Sequence, residues 1–264
     1  MARCGHKRAD FPAMTNVGLF VTCLVDLVRP QTGFAALKLL EQAGCTVHVP
    51  RAQICCGQPT WNAGDDRQAA DIARQVVDAF EDFDYVVAPS GSCAGMLRNH
   101  YVNVLKADPT YADRARALAA KSHELVSFLV NVRGVKTMTA TCQAKACYHD
   151  SCSALREMGV RDEPRTLLET VRGLTLEPLK DPDVCCGFGG LFSVKYSEIS
   201  TRMADDKIAD AVGTDADTLI GPDLGCLLHL AGRMTRQGKK MRVRHVAEVL
   251  ADMGEGPALG EGET

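Results

Sequence analysis

The sequence lacks several features that would assign it to other classes of protein. Its 264 residues contain no run of about 18 apolar residues that could span a membrane, and no apolar signal-peptide core near the N-terminus. The formal net charge is only -3 and like charges do not cluster, which argues against a nucleic-acid partner. We therefore expect a cytoplasmic chain that reaches a membrane, if at all, through partner proteins.

Sequence motifs for common cofactors are also missing. The chain has no C-x2-C-x2-C-x3-C-P ferredoxin run, no P-loop, no H-E-x-x-H pair and no G-x-G-x-x-G after a strand. These absences leave no evident nucleotide or flavin site. We therefore do not expect the chain to oxidise an organic substrate without a partner.

Cysteine, by contrast, is abundant, with 12 residues in the chain. In a reducing compartment, cysteine-rich patterns indicate metal binding or catalysis more often than disulfides. Eight of the cysteines form two sets with the same pattern, Cys…Cys-Cys-Gly…Cys, separated by about 130 residues, the spacing of a duplicated unit. The first set is Cys23, Cys55, Cys56 and Cys93, and the second is Cys152, Cys185, Cys186 and Cys226.

Short apolar runs and helical patterns alternate around these cysteines. Buried strands are predicted immediately before Cys23, Cys93 and Cys226, and a more polar strand before Cys152. Helical spacing of apolar residues follows at 34–44, 71–83 and 197–212. This alternation predicts an α/β fold with two pseudo-symmetric repeats, each a small parallel-sheet unit that carries its cysteines at strand ends.

The repeat also predicts the organisation of the chain. Gly134 and the Thr-rich stretch 137–141 interrupt the pattern between the two halves. Both ends of the chain are predicted to be disordered, because the start is polar and the last residues are rich in Gly and Glu. The predicted units are an N-terminal extension (1–16), a first half (17–136), a second half (137–253) and a tail (254–264).

Four cysteines per half suit two kinds of metal centre. A cubane iron–sulfur cluster is usually held by four thiolates, and a structural zinc ion accepts the same set. Adjacent cysteines point apart in a strand, but Gly57 and Gly187 supply the freedom for a turn that directs both toward one centre. We predict one iron–sulfur cluster in each half, most simply 4Fe-4S, with zinc in one or both sites as the alternative.

The remaining cysteines and a nearby histidine have simpler interpretations. Cys4, Cys45, Cys142 and Cys147 have no counterpart in the repeat and are expected to be core or surface thiols. His149 lies three residues before Cys152. We expect it to be a strand-end histidine that is hydrogen-bonded in the core, rather than a metal ligand.

A hydrolase is a second interpretation of one segment. Gly91-Ser-Cys-Ala-Gly95 resembles a nucleophile elbow, with Cys93 as nucleophile and His123 or His149 as base. This hypothesis leaves both Cys-Cys-Gly turns and the whole second set of cysteines unexplained. We therefore rank it below metal binding.

Four runs of sequence carry a resemblance to the cysteine-rich "CCG" domain family. The runs are Leu19-Phe-Val-Thr-Cys-Leu-Val-Asp26, Ile54-Cys-Cys-Gly-Gln-Pro59, Pro89-Ser-Gly-Ser-Cys93 and Val184-Cys-Cys-Gly-Phe-Gly-Gly190. That family includes the heterodisulfide reductase B subunit and the iron–sulfur subunit of glycolate oxidase. Within it, the sequence most resembles the lactate-utilisation type.

This resemblance implies a specific role. It implies a non-autonomous oxidoreductase subunit that transfers electrons within a complex oxidising L-lactate to pyruvate. Its partners would be a subunit with ferredoxin-type clusters and a further lactate-utilisation subunit. It also implies that the eight repeated cysteines are the cluster ligands, and it assigns no catalytic residue.

The sequence departs from one branch of the family. Heterodisulfide reductase B repeats often close with Cys-x-x-Cys, whereas the corresponding positions here are Met96 and His229. The missing cysteines weigh against a thiol–disulfide redox subunit, which stays an alternative. We expect His229 to be structural rather than an extra ligand. A zinc-stabilised interaction protein is the remaining alternative.

Overall fold

A computed structural model describes residues 15–261 of the chain. Within them lie two four-stranded parallel sheets with the same strand order, 2-1-3-4 in the first half and its equivalent in the second. The first sheet consists of β1 (Thr15–Leu19), β2 (Cys45–His48), β3 (Tyr85–Ala88) and β4 (Ser122–Glu124). The second consists of β5 (Thr141–Tyr148), β6 (Arg172–Leu176), β7 (Thr218–Gly221) and β8 (Arg242–His245). The prediction of two pseudo-symmetric α/β units is confirmed.

In the first half, helices form the connections from each strand to the next, as parallel pairing of the strands requires. Two π-helical segments, Met96–His100 and Phe128–Val132, continue helices of this half. The helices are α1 (Cys23–Val28), α2 (Pro30–Gln42), α3 (Gln58–Asn62), α4 (Asp66–Phe80), α5 (Gly91–Gly95), α6 (Tyr101–Val104), α7 (Ala112–Ala120) and α8 (Leu125–Ser127).

The second half repeats this plan with fewer and longer helices. Between β7 and β8, for example, a single helix replaces the broken series of helices that joins β3 to β4. The helices are α9 (Cys152–Arg156), α10 (Asp162–Leu168), α11 (Leu191–Lys195), α12 (Ser197–Val212), α13 (Leu224–Arg236) and α14 (Val246–Leu250).

The largest apolar core lies between the two sheets and belongs to both halves. It contains Leu19 and Leu40 from the first half, and Leu167, Ile220 and Val246 from the second. Helices α2, α8, α10 and α14 contribute to this layer and contact one another across the halves. Two further cores lie under the outer helices, one for each sheet. The halves are therefore packed together as one body.

A buried ion pair also ties the halves together. Arg29 donates two hydrogen bonds to the carboxylate of Glu248, at 3.0 and 2.9 Å, and Thr32 donates a third at 2.6 Å. Burial opposes the charge on Glu248, but the Arg29 and Thr32 donors outweigh it and the pKa of Glu248 is lowered. Glu248 is therefore charged at neutral pH and holds α2 against α14.

Part of the predicted disordered tail is packed. The N–H of Leu259 donates to the carbonyl of Val243 at 3.0 Å, and Ala258 and Leu259 are buried. The carbonyl of Pro257 accepts from Arg29 at 2.8 Å. The prediction of disorder was wrong for this segment, because two apolar residues among the glycines cover the outer end of β8. Residues 1–13, also predicted to be disordered, and the last three residues of the predicted tail, 262–264, lie outside the described residues.

Among residues 15–261, no helix combines the length and the apolar character needed to cross a bilayer. The eleven cysteines in this range are all free.

Helices α5 and α9, which carry Cys93 and Cys152, approach closely at Gly91. A Cβ atom on Gly91 would lie 2.7 Å from the backbone N of Ala154. We predict that Gly91→Ala forces the helices apart and lowers the free energy of unfolding by roughly 1–3 kcal/mol. Gly232→Ala is the control, because the only atom within 4 Å of a Cβ at this helical glycine is Arg236 Nη1, at 3.9 Å. This change should raise the free energy of unfolding by up to about 1 kcal/mol. Equal changes in the free energy of unfolding for the two variants, measured by denaturation without oxygen, would contradict the close approach of the helices.

Candidate metal centres

Four of the eight repeated cysteines lie in the first turns of helices that follow strands. Cys23 and Cys152 begin α1 and α9, and Cys93 and Cys226 are the third residues of α5 and α13. Each of these helices begins after a residue whose side chain accepts a backbone hydrogen bond from the first turn. The capping residues are Thr22, Ser90, Ser151 and Asp223.

The adjacent cysteines lie in turns that end at a left-handed glycine. Gly57 has φ 79° and Gly187 has φ 83°, a region that side chains with a Cβ rarely occupy. In each turn the glycine N–H points to the sulfur of the first cysteine: Gly57 N lies 3.5 Å from Cys55 Sγ, and Gly187 N lies 3.4 Å from Cys185 Sγ. The backbone of both turns thus contributes a donor to a sulfur.

The turns bring the four sulfurs of the first set together. Cys23 contacts Cys55, Cys55 contacts Cys56, and the Sγ atoms of Cys56 and Cys93 lie 3.4 Å apart. The second set repeats this sequence of contacts, from Cys152 to Cys185, Cys186 and Cys226. Each predicted set of four cysteines is therefore assembled at one edge of its sheet.

One thiol in each set is strongly acidic. Hydrogen bonds from Cys23 and Cys56 and the N–H of Gly57 hold the pKa of Cys55 at about 2. Hydrogen bonds from Cys152 and Cys186, together with the N–H of Gly187, likewise lower the pKa of Cys185 to about 2. The thiol that donates to each, Cys23 or Cys152, has a raised pKa in return. These hydrogen bonds favour the thiolate form of one cysteine in each set, and the thiolate is the form that binds metals.

The surroundings of the two sites differ at His149, and the interpretation of this residue from the sequence was wrong. His149 is fully buried, but neither of its ring nitrogens has a hydrogen-bond partner among the described residues. The hydrogen bond predicted in the core is therefore not formed within residues 15–261. One ring nitrogen and the sulfurs of Cys186 and Cys226 lie within 4.8 Å of one another, the one such group of three donors found in residues 15–261.

The two positions that depart from Cys-x-x-Cys have other surroundings. Met96 is fully buried in the outer core of the first half. The ring of His229 lies 3.3 Å from the hydroxyl of Ser200, whose own proton is donated to the carbonyl of Gly187 at 2.8 Å. His229 thus supports the second turn through Ser200, in line with the structural role expected for it.

The histidines proposed as bases for a hydrolase have other surroundings. His123 packs against the rings of Tyr85 and Phe128 in tilted contacts, with centroids 5.6 Å from each. His149 faces the second set of cysteines, and Cys93 faces Cys56. Nothing in this arrangement favours Cys93 as a nucleophile with a histidine base.

The unpaired cysteines stay outside both sites. Cys45 and Cys147 are buried in apolar cores, and Cys142 lies at the edge of the central core. Burial raises the pKa of Cys147 to about 11, so it is a neutral thiol. Cys4 lies outside the described residues.

Gly187 offers a test of the second turn. A Cβ atom there would lie 2.5 Å from the carbonyl oxygen of Ser200, in addition to the left-handed strain of roughly 1–3 kcal/mol. We predict that Gly187→Ala lowers the metal content of the second site and leaves the first site occupied. Gly64→Ala is the control, because Gly64 has φ +80° with nothing within 4 Å of its Cβ position. Metal retained in both sites of Gly187→Ala would contradict this geometry.

Comparisons with known proteins agree with the duplicated sites. The family model described as "CCG: Cysteine-rich domain" matches residues 17–98 and 146–231, one copy in each half. A crystal structure of a hypothetical protein from Helicobacter pylori has the same fold, with a TM-score of 0.57 and 12% identity over 95% of this chain. This chain spans about half of that protein, 52% of its length.

Proteins with higher sequence identity cover almost the whole chain. Lactate utilization protein A of Geobacillus kaustophilus is 50% identical over 235 residues, which are 89% of this chain and 98% of that protein. Lactate utilization protein A of Bacillus subtilis is 47% identical over the same shares of the two chains. This chain therefore belongs to the cysteine-rich CCG-domain family that includes the lactate utilization A proteins.

Proposed function

We propose that this chain is an iron–sulfur electron-transfer subunit of a complex that oxidises L-lactate to pyruvate, with one cluster in each half. The observation that carries this proposal is the pair of assembled four-thiol sites. The substrate follows from the relatives, which are named for lactate utilisation. The eight repeated cysteines are the proposed ligands.

Four thiols in each site suit a cubane, whose four ligands bind four different iron atoms. A zinc ion with four bonds of about 2.3 Å to sulfur accepts the same set of residues. The relatives named for lactate utilisation favour the redox centre, and metal analysis decides between the two.

The residues of each site have distinct tasks in this proposal. A bound cluster supplies one-electron chemistry. Cys55 and Cys185 bind as thiolates and receive N–H groups from the glycines of their turns. Cys56 and Cys186 are buried and exclude water from one side, while Cys23, Cys55, Cys152 and Cys185 are half-buried and lie near the surface. Electrons can therefore be exchanged with a partner without opening the fold.

Exposed apolar side chains surround the surface side of both sites. In the first half, a groove beside Cys23 and Cys55 is lined by Leu27 and Val49 among others, and Leu27 is 79% exposed. In the second half, Val194 and Tyr196 follow the Cys185 turn and are also exposed. Apolar patches of this kind favour protein partners. We propose that they contact the ferredoxin-type subunit and the further lactate-utilisation subunit.

Metal analysis without oxygen is the first test of the clusters. The whole chain should contain about eight iron and eight sulfide per molecule, as two cubanes require. Cys56→Ser and Cys186→Ser should each remove about half, because each removes one buried ligand. Cys147→Ser is the control, because Cys147 is buried outside both sites and should keep both clusters. Zinc with little iron would overturn the redox proposal in favour of a zinc-stabilised interaction protein.

Copurification tests the partner. We expect the tagged chain, isolated without oxygen from its own organism, to retain partner subunits with lactate-oxidising activity. Leu27→Glu should reduce their recovery at least about tenfold, because it places a charge in a contact beside Cys23. Val212→Glu is the matched control, because Val212 is also exposed but lies at the far end of α12, away from both sites. Full lactate oxidation by the isolated chain would contradict the proposal.

A further inference from the structure

His149 is a buried residue whose polar ring atoms lack hydrogen bonds among the described residues. Its side chain is 0% exposed and both ring nitrogens lack a hydrogen-bond partner among the described residues. Leaving a buried polar group without a partner costs about 1–3 kcal/mol, so such groups usually have a function or a bound ligand. A neutral imidazole is a common metal ligand, because one ring nitrogen keeps a lone pair for the metal.

The distances leave room for a metal atom. One ring nitrogen and the sulfurs of Cys186 and Cys226 lie within 4.8 Å of one another, yet the nitrogen forms no hydrogen bond with either thiol. A metal bonds to histidine nitrogen at about 2.0–2.1 Å and to thiolate sulfur at about 2.3 Å. A metal centre bound by Cys186 and Cys226 therefore lies within reach of the ring nitrogen.

The first site has no such donor at the equivalent position. The N–H of Phe20 donates to Val87 and the N–H of His149 donates to Ile220, both at 2.8 Å, so the two residues occupy the same place after β1 and β5. A second difference lies on the following helices, where the buried Lys207 corresponds to Val77. The second site is therefore polar where the first is apolar.

We propose that His149 is a ligand of the second metal centre and that the two centres of this chain are chemically different. The inference rests on the proposed function only in requiring a metal centre in the second half. The second site then offers five donors, namely His149 and the four cysteines. A cubane takes four protein ligands, so this inference revises the ligand set proposed above, with His149 in place of one of the four cysteines of the second site. Because a neutral imidazole replaces a negative thiolate, the second centre has the higher reduction potential.

Pulsed electron paramagnetic resonance tests the ligand directly. The Cys56→Ser variant, purified without oxygen and reduced, isolates the signal of the second centre. We expect a strong coupling to a ring nitrogen, which changes when the chain is labelled with 15N-histidine and disappears in Cys56→Ser/His149→Phe. The labelled sample needs no change at His149, so the test does not depend on how that variant folds.

Two further readouts separate ligation from a structural role. His149→Phe should lower the potential of the second centre by at least 59 mV, which is about tenfold in a one-electron equilibrium. The reciprocal Phe20→His, in a Cys186→Ser background, should introduce a nitrogen coupling into the first centre. An iron- and sulfide-containing Cys56→Ser protein without strong nitrogen coupling would overturn the ligand assignment.

Metal content distinguishes this failure from failure of the proposed function. If the second site contains zinc, the proposal of one cluster in each half fails, but His149 can still be tested by replacing zinc with cobalt(II). Visible bands that differ between the parent chain and His149→Phe would then support a nitrogen ligand. Identical bands would overturn it.

Discussion

The two metal sites depend on one local constraint, a left-handed glycine directly after a pair of adjacent cysteines. Without Gly57 and Gly187 in this conformation, the two sulfurs of each pair would point to opposite sides of the chain. Buried hydroxyl groups hold the turns in place. Tyr101 donates to the carbonyl of Cys56 at 2.9 Å, and Ser200 donates to that of Gly187 at 2.8 Å. The donor positions are therefore set by the fold, and a metal centre enters a site that is already organised.

A second level of organisation joins the halves at the sites themselves. Asp223 caps α13, which carries Cys226, and its other oxygen accepts from the hydroxyl of Ser90 and the N–H of Ser92 at 3.0 and 3.1 Å. Ser90 in turn caps α5, which carries Cys93. A single buried carboxylate thus holds the helices of both sites in register. Together with the close approach at Gly91, it makes the two centres parts of one rigid unit.

Much of this arrangement could be predicted from cysteine spacing, because a repeated pattern of ligands requires a repeated scaffold. Local patterns also predicted α12, over 197–212, with the observed bounds. The helix predicted at 71–83 instead spans Asp66–Phe80, because Asp65 accepts from the N–H of Gln68 and starts the helix before its apolar face begins. The missing partner of His149 was not predictable, because it depends on how Cys186 and Cys226, which are distant in sequence, pack around the ring.

Duplication by itself yields two equivalent centres, between which electrons have no preferred direction. In this chain the cysteines have stayed alike while their buried neighbours have diverged, from Phe20 and Val77 in the first half to His149 and Lys207 in the second. Charges and dipoles act strongly in a protein interior of low dielectric constant. An imidazole ligand carries less negative charge than the thiolate it replaces and therefore stabilises added negative charge. The ammonium group of Lys207 lies 3.9 Å from the carboxylate of Asp210, which offsets its charge. Under the proposed ligation, electrons therefore move from the first centre to the second, and the change from Phe20 to His149 sets that direction.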